Sequence, residues 1–345
     1  MLTSNLLSET FLVQATSLAD ETANASMPVR ESAKSVVRVS YTIEAVGDFQ
    51  GESNADILLS SNNGDYVLWL AGQQENAFSL GNKQGFSYYG VGDFDNNQKS
   101  DIIFYENSTA VVSLLKSPAT AQTEMNPIGN LSALLSDNWE VIATADFDRN
   151  GCDDIMWMNN GGIVGYWAST PTGVNDQLIQ IGNLSALLSE GWEVIGIGDF
   201  DGNGCDDVLW KSNFGLVGYW AGGEGVNGAM SDQLTIVGDL GAILEAGWDI
   251  VGIEDFDGNG CDDILWQSGD LLVGYWRGYN DRMDDQLQYS GNLTALVHEG
   301  WNVKGVGDFD ADGKADILWQ SDVTNLVGMW GAGSDQNWVE LGSLA

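Results

Sequence analysis

The 345-residue sequence predicts an all-β fold, a six-bladed β-propeller built from four-stranded blades. An Asp-Phe pair recurs along the chain at intervals of 45 to 56 residues, with its aspartate at Asp48, Asp93, Asp146, Asp199, Asp255 and Asp308. Each copy holds four short apolar runs rich in Val, Ile, Leu and Trp, separated by Gly and Asn, which is strand composition with turn residues between. Four strands in a unit of about 40–50 residues are typical of a propeller blade.

The repeats set the domain boundaries. In the fourth copy the four runs read WEVIGIGDF, DVLW, GLVGYW and QLTIVG, and the sixth copy stops just after its own fourth run, NWVELGSL. We therefore expect a propeller over residues 39–345 whose ring closes by packing blade six against blade one. Residues 1–38 do not match the repeat, are mostly polar, and are expected to form a flexible N-terminal extension or to add one or two strands.

Charge and composition exclude several function classes. Asp and Glu number 50 against 12 Lys and Arg, for a formal charge of -38. A surface so acidic repels nucleic acid and anionic lipid and attracts cations. We find no run of 18 apolar residues, so membrane insertion is not expected. The N-terminus lacks the basic and apolar regions of a cleaved signal peptide, which leaves the export route open.

A nine-residue acidic loop follows each Asp-Phe anchor, as in DFDGNGCDD at 199–207. In copies two to six, positions 1, 3, 5 and 9 of this loop carry side-chain oxygens. Calcium takes six to eight such oxygens, and alternate residues of a tight loop can converge on one ion. The side-chain ligands predicted for about five Ca²⁺ ions are Asp93, Asp95, Asn97, Asp101, Asp146, Asp148, Asn150, Asp154, Asp199, Asp201, Asn203, Asp207, Asp255, Asp257, Asn259, Asp263, Asp308, Asp310, Asp312 and Asp316.

Position 7 is a predicted ligand through its backbone carbonyl. It is occupied by Cys152, Cys205, Cys261, Lys99 and Lys314. A site that used a thiolate could not accept an ammonium group at the same position, whereas a carbonyl ligand needs no particular side chain. Zinc and iron–sulfur sites are disfavoured because each loop has at most one Cys and no His. We expect three free thiols in separate blades.

The loop does not match an EF-hand, and its copies differ in how many of the expected residues they contain. An EF-hand needs an acid at position 12, where this chain has Phe or Trp. Copies three to six have Gly at position 6, where the chain must turn sharply with positive φ, and copy two has Gln98. Copy one, Asp48 to Asp56, lacks the glycine and two of the expected acids, so we expect weak calcium binding there or none.

The loop D-F-D-x-[ND]-G-x-x-D, followed by an apolar strand and repeated about every 53 residues, resembles the FG-GAP or VCBS repeat of integrin α-subunits and bacterial surface proteins. The resemblance covers most of residues 40–345. It implies a propeller whose loops hold calcium, with six, seven or eight blades, so seven is the alternative count. It does not fix a function, because members include adhesion receptors, lectins and propellers fused to lyases or hydrolases.

Recurring aromatic pairs are candidate ligand-binding residues. They are Tyr166, Trp167, Tyr219, Trp220, Tyr275 and Trp276. An exposed ring could stack on a sugar face, while the alternative, favoured for any single Trp, is that the ring packs in a core between blades.

No arrangement of a nucleophile, a base and an acid is visible in the sequence. The sequence predicts a non-enzymatic, calcium-binding module outside the cell or on its surface, with a carbohydrate or protein ligand. A purely structural subunit that self-associates is the second hypothesis, and a polysaccharide-active enzyme the third.

Overall fold

The computed structural model describes residues 39–345 apart from 118, 131–138, 184–190, 224–230, 232, 240–246, 269–271, 280–281, 284–286, 293–299, 332–336 and 345. These residues form six antiparallel four-stranded sheets arranged as a six-bladed propeller. The predicted fold class is confirmed, with six blades and not seven. The prediction for residues 1–38 lies outside the described residues. No helix in the described part of the chain has the length and apolar character to cross a membrane.

Each blade consists of four consecutive strands. The first strands are Tyr41–Gly47, Phe86–Gly92, Trp139–Ala145, Glu193–Gly198, Trp248–Glu254 and Trp301–Gly307. The second strands are Asp56–Ser61, Asp101–Glu106, Asp154–Asn159, Asp207–Lys211, Asp263–Ser268 and Asp316–Ser321. The third strands are Asp65–Trp69, Val111–Leu115, Ile163–Trp167, Leu216–Trp220, Leu272–Trp276 and Leu326–Trp330. The fourth strands are Ala77–Asn82, Asn126–Asn130, Ile179–Asn183, Leu234–Asp239, Gln288–Asn292 and Trp338–Ser343.

In the described residues, short elements follow the third strands of blades one, three and five. Blade one has two 3₁₀ turns, Leu70–Gly72 and Gln74–Asn76. Blade three has a small hairpin of Ser169–Thr170 and Gly173–Val174, and blade five has one of Gly278–Tyr279 and Arg282–Met283.

The six first strands line the axis, and each contacts the first strands of the two neighbouring blades. Glycines make this approach close. A Cβ atom on Gly196 would lie 1.9 Å from the Cδ1 atom of Ile253 in the next blade. The second strands are sandwiched between neighbouring sheets, and Val208, Leu209 and Trp210 are all fully buried. Burial on both faces explains why these strands read as continuous apolar runs instead of alternating ones.

Blade six packs directly against blade one. One core cluster joins Ile57, Leu59 and Trp69 of blade one to Leu318 and Leu341 of blade six, with further buried residues from both. The Ser343 N–H also donates to Gln74 Oε1 at 2.9 Å. Because the described strands of blades one and six are consecutive within each blade, packing and hydrogen bonds close the ring in the described residues, as the sequence predicts.

Candidate metal centres

The acidic loops join the first strand to the second strand in every blade, and hydrogen bonds link them into a ring. The N–H at position 8 of each loop donates to the carbonyl at position 1 of the loop in the preceding blade. The six bonds run from Ser100 to Asp48, Asp153 to Asp93, Asp206 to Asp146, Asp262 to Asp199, Ala315 to Asp255 and Ala55 to Asp308, at 2.7 to 3.0 Å. The last of these closes the circle between blades one and six. Each loop is therefore hydrogen-bonded to both of its neighbours.

The first aspartate of each loop stabilises the turn by accepting hydrogen bonds from backbone N–H groups within it. In blade four, Asp199 Oδ1 accepts the Asn203 N–H at 3.0 Å and Oδ2 accepts the Gly204 N–H at 2.8 Å. Position 6 has the predicted left-handed backbone, with φ of 80° at Gly204. Gln98 takes the same conformation, with φ of 63°, which is strained for a residue that has a side chain.

The ninth-position aspartate is the most enclosed ligand candidate. Asp101, Asp154, Asp207, Asp263 and Asp316 are all fully buried. In blade four, Asp207 Oδ2 accepts the Phe200 N–H at 2.9 Å and Oδ1 accepts the Gly222 N–H at 2.8 Å. Backbone donors thus fix the carboxylate before any ion arrives, which is the preorganisation that a binding site needs.

Five loops bring three acids together, as the sequence predicts. Positions 1, 3 and 9 place carboxylate oxygens within 4.8 Å of one another in Asp93, Asp95 and Asp101, in Asp146, Asp148 and Asp154, in Asp199, Asp201 and Asp207, in Asp255, Asp257 and Asp263, and in Asp308, Asp310 and Asp316. Several of these oxygens have unmet hydrogen-bonding capacity. Asp95 Oδ1, Asp101 Oδ2 and Asp148 Oδ1 are buried without a hydrogen-bond partner. Buried, unpartnered carboxylate oxygens are costly, and a divalent cation would satisfy them.

Positions 5 and 7 complete the predicted ligand set of each loop. Asn203 Oδ1 accepts the Cys205 N–H at 2.8 Å and Nδ2 donates to the Gly222 carbonyl at 3.2 Å. An amide oxygen has two lone pairs, so one remains for an ion. The three cysteines are free and buried. Burial and neighbouring carboxylates raise the pKa of Cys152 to about 11, which keeps the thiol protonated. Lys99 Nζ donates to the Gln50 carbonyl in the neighbouring loop, so its ammonium group is directed towards blade one and not towards the acids of its own loop.

The loop of blade one has the same turn but different side chains. Asp48 accepts N–H groups from Gln50, Gly51, Glu52 and Ser53, much as the first aspartates of blades four and five accept theirs, but positions 3 and 5 are Gln50 and Glu52. A cleft of about 370 Å³ lies beside it. Its lining includes Gln50, Glu52, Asn54 and Asp56, together with residues after the third strand. Among the described acids, this loop contributes no triad of the kind seen in the other five.

The aromatic pairs lie in the core between blades. Trp167, Trp220 and Trp276 are at most 2% exposed, and Tyr166 and Tyr219 are also buried, while Tyr275 is half-buried. Each Trp packs on a Trp of the second strand of its own blade, with ring centroids 4.8 to 5.0 Å apart. These tryptophans present no open face on which a sugar could stack. Their burial supports the alternative interpretation, a core between blades.

Position 8 carries acids that the sequence interpretation passed over. Asp153, Asp206 and Asp262 each accept, through Oδ2, the N–H of the first aspartate in the preceding loop, at 2.7 to 2.9 Å. Burial and the charges of neighbouring acids raise the pKa of Asp153 to about 7 and that of Asp206 to about 6. The signal was present in the sequence as the doubled aspartate that ends DGNGCDD.

The metal-free protein is expected to lose stability as pH rises. Burial raises the pKa of Asp101 and Asp263 to about 7, that of Asp154 to about 8 and that of Asp207 to about 9. The same carboxyls titrate near 3.9 when unfolded, so the folded chain binds more protons between about pH 4 and pH 9, and the free energy of unfolding falls across that window. Calorimetry on metal-free protein should give a melting temperature at least about 5 °C lower at pH 8.5 than at pH 5.5.

A bound divalent cation would reverse this pH dependence. Such an ion would bind the ionised carboxylates, so protons would compete with it and its affinity would fall as pH drops below about 7. A melting temperature of metal-free protein that instead rises from pH 5.5 to pH 8.5 would contradict the burial of these acids.

No protein-family model matches the chain, and no curated protein matches it. Several solved structures share a broad similarity. AofleA from Arthrobotrys oligospora is 9% identical, with 90% of this chain and 92% of that one covered and a TM-score of 0.47. A luciferin-regenerating enzyme is 8% identical, with 81% and 84% covered and a TM-score of 0.47. Rhamnogalacturonan lyase YesW is 11% identical, with 95% and 76% covered and a TM-score of 0.41. Similarity at this level carries no conclusion about activity or ligand.

Proposed function

We propose that this protein is a calcium-binding propeller of the FG-GAP or VCBS type, with one ion in the loop of each of blades two to six. The main support for metal binding is the set of buried carboxylate oxygens without a hydrogen-bond partner. The best example is Oδ2 of Asp101, which is fully buried. The donors are carboxylate, amide and carbonyl oxygens, which suit a hard cation. Calcium is favoured over magnesium because it tolerates six to eight ligands in irregular geometry.

Within one loop, the side chains at positions 1, 3, 5 and 9 and the carbonyl at position 7 would hold the ion. In blade three these are Asp146, Asp148, Asn150, Asp154 and Cys152. The ion supplies positive charge between acids that otherwise repel one another. Five ions would reduce the formal charge from -38 to -28.

Replacing Asp148 with Asn should remove one calcium ion. Asp148 Oδ1 has no hydrogen-bond partner, so the amide fits the same space but removes the charge. We expect the calcium stoichiometry in native mass spectrometry to fall from five to four. In calcium the melting temperature should drop, whereas in metal-free protein it should stay the same or rise, because burial and Asp146 already raise the pKa of Asp148.

Asp249→Asn is the matched control. Asp249 is an exposed acid on the first strand of blade five, outside every loop. This variant loses the same charge and should keep all five ions. An Asp148→Asn protein that still carries five ions would remove blade three from the proposal.

We further propose that the propeller works outside the cell or on its surface as a module that binds carbohydrate or protein. Loops of this kind fill at the millimolar calcium levels found there. Because the paired tryptophans are buried, the loops that connect the strands are the surface for such a ligand. A glycan array probed in millimolar calcium and again after chelation tests the carbohydrate branch. Binding to a defined sugar in calcium would support a carbohydrate ligand, and the absence of binding in both conditions would favour a protein ligand.

A structural subunit is the second candidate, and the outer strands favour it. Ile236 is 53% exposed, Tyr289 60% and Trp338 37%, and they lie on the fourth strands of blades four, five and six. Apolar side chains along edge strands promote association. Light scattering coupled to gel filtration should then show self-association that Tyr289→Ser weakens.

A further inference from the structure

Two residues that follow the third strand lie beside the metal loop in several blades. The second of them makes two recurring hydrogen bonds, one to the side chain at position 9 and one to the side chain at position 5. In blade two, the Ser117 N–H donates to Asp101 Oδ1 at 2.7 Å, and the Ser117 carbonyl accepts from Asn97 Nδ2 at 3.4 Å. In blade five, Gly278 makes the same contacts with Asp263 at 2.9 Å and Asn259 at 3.0 Å. These bonds fix the residue that precedes them.

In two blades that residue is basic and reaches the position-3 aspartate. Lys116 Nζ lies 2.8 Å from Asp95 Oδ2 in blade two, and Arg277 Nε lies 3.1 Å from Asp257 Oδ2 in blade five. The two aspartate side chains are only 13% and 17% exposed, so water screens these pairs less than it screens ordinary surface pairs. Blades two and five are opposite each other in the six-bladed ring.

The other three loops have a small, uncharged residue at this place. It is Ala168 in blade three, Ala221 in blade four and Gly331 in blade six. In blade six the position lies beside the position-3 aspartate, because a Cβ atom on Gly331 would lie 3.9 Å from Asp310 Oδ2. A basic side chain at this shared position therefore separates blades two and five from blades three, four and six.

We propose that Lys116 and Arg277 are tethered counter-ions that divide the five loops into two classes. The loops of blades three, four and six bind calcium tightly. The loops of blades two and five bind it weakly and keep their conformation without it. This inference rests on the proposed calcium function and adds a ranking of the sites to it.

The ranking follows from charge. A calcium ion in blade two needs the carboxylate of Asp95, which already holds an ammonium group at 2.8 Å. Either the ion pair breaks, or two cations share one carboxylate and repel each other at short range. Without calcium, the same ammonium offsets part of the repulsion among Asp93, Asp95 and Asp101.

Calcium titration of metal-free protein by calorimetry tests the ranking. The wild type should show three tight sites and two weak ones, separated by about tenfold or more in dissociation constant. Lys116→Met, which keeps an unbranched apolar stem, should move one site to the tight class, and adding Arg277→Met should move the second. Lys211→Met is the matched control, since Lys211 pairs with Glu193 at 2.9 Å away from the loops and the same charge is lost. It should leave the pattern of three and two unchanged.

The reverse substitution gives an independent readout. Ala168→Lys should place an ammonium beside Asp148 and convert one tight site to a weak one. It decides the question even where Lys116→Met does not fold. In metal-free protein, Lys116→Met should also lower the melting temperature, whereas Lys211→Met should change it less.

Five equivalent sites in the wild type, or an unchanged pattern in Lys116→Met and Ala168→Lys, would overturn the ranking while leaving calcium binding intact. A wild type that binds no calcium would overturn the proposed function itself.

Discussion

Removal of calcium is expected to lower the melting temperature of the protein by about 10 °C or more. A site at a calcium concentration a hundredfold above its dissociation constant adds about 2.7 kcal/mol to the free energy of unfolding. Three tight sites would add about 8 kcal/mol, and a domain of about 300 residues shifts by roughly 1.5 °C per kcal/mol. The effect should be cooperative, because the hydrogen bonds between position 8 and position 1 join all six loops.

Scanning calorimetry in 1 mM calcium, in 1 mM magnesium and in a chelator measures this effect. The magnesium sample should resemble the chelated one more than the calcium one, since magnesium demands octahedral geometry and gives up its water reluctantly. Equal melting temperatures in calcium and in chelator would mean that the acid triads are not structural metal sites.

The sequence predicted the architecture and the acid triads because both depend on local spacing. Side chains at positions 1, 3 and 9 lie within one nine-residue turn, so their convergence needs no knowledge of the rest of the fold. The same holds for the left-handed backbone at position 6, where glycine is the residue that adopts positive φ most easily. Five copies of one local pattern then distinguish a site from a single acidic turn.

Contacts between blades were not predictable in this way, because their partners lie about one repeat apart. Glu254 is an example. In blades two to four, the N–H of the first loop aspartate donates to the aspartate at position 8 of the loop in the next blade. The Asp199 N–H, for example, donates to Asp262. Blade six has Ala315 at position 8, and in blade five the Glu254 carboxylate accepts the Asp255 N–H instead. Two substitutions 61 positions apart compensate each other, and only the folded ring shows why.

The ion pairs of Lys116 and Arg277 were missed for a related reason. Each basic residue is about 20 positions from its aspartate along the chain, and the stretch between them differs in length from blade to blade. Only the register of the second and third strands brings the pair together. Aligning the copies on the end of the third strand, instead of on the acidic loop, would have revealed a charged residue in blades two and five and a small one in blades three, four and six.

Trp220→Ala is expected to lower the melting temperature by about 5 °C or more relative to the wild type. Trp220 is 2% exposed, its ring centroid lies 4.9 Å from that of Trp210, and it packs in a cluster with Tyr166 of blade three. Truncation of a buried Trp costs about 3–5 kcal/mol, because the lost contacts leave a cavity between blades that the rigid sheets cannot close. Calorimetry in saturating calcium isolates this loss from any change in metal binding.

Phe214→Ala is the matched control within the same blade. Phe214 is 81% exposed in the turn before the third strand, so its truncation should change the free energy of unfolding by no more than about 0.5 kcal/mol. The pair of variants separates the two interpretations of the recurring Tyr-Trp motif. A ligand-stacking Trp would tolerate alanine with little loss of stability and lose binding instead, whereas a core Trp lowers the melting temperature whether or not a ligand is present. Since the rings of Trp210 and Trp220 cover each other between two blades, we expect the second outcome, and we expect the same change at Trp167 and Trp276.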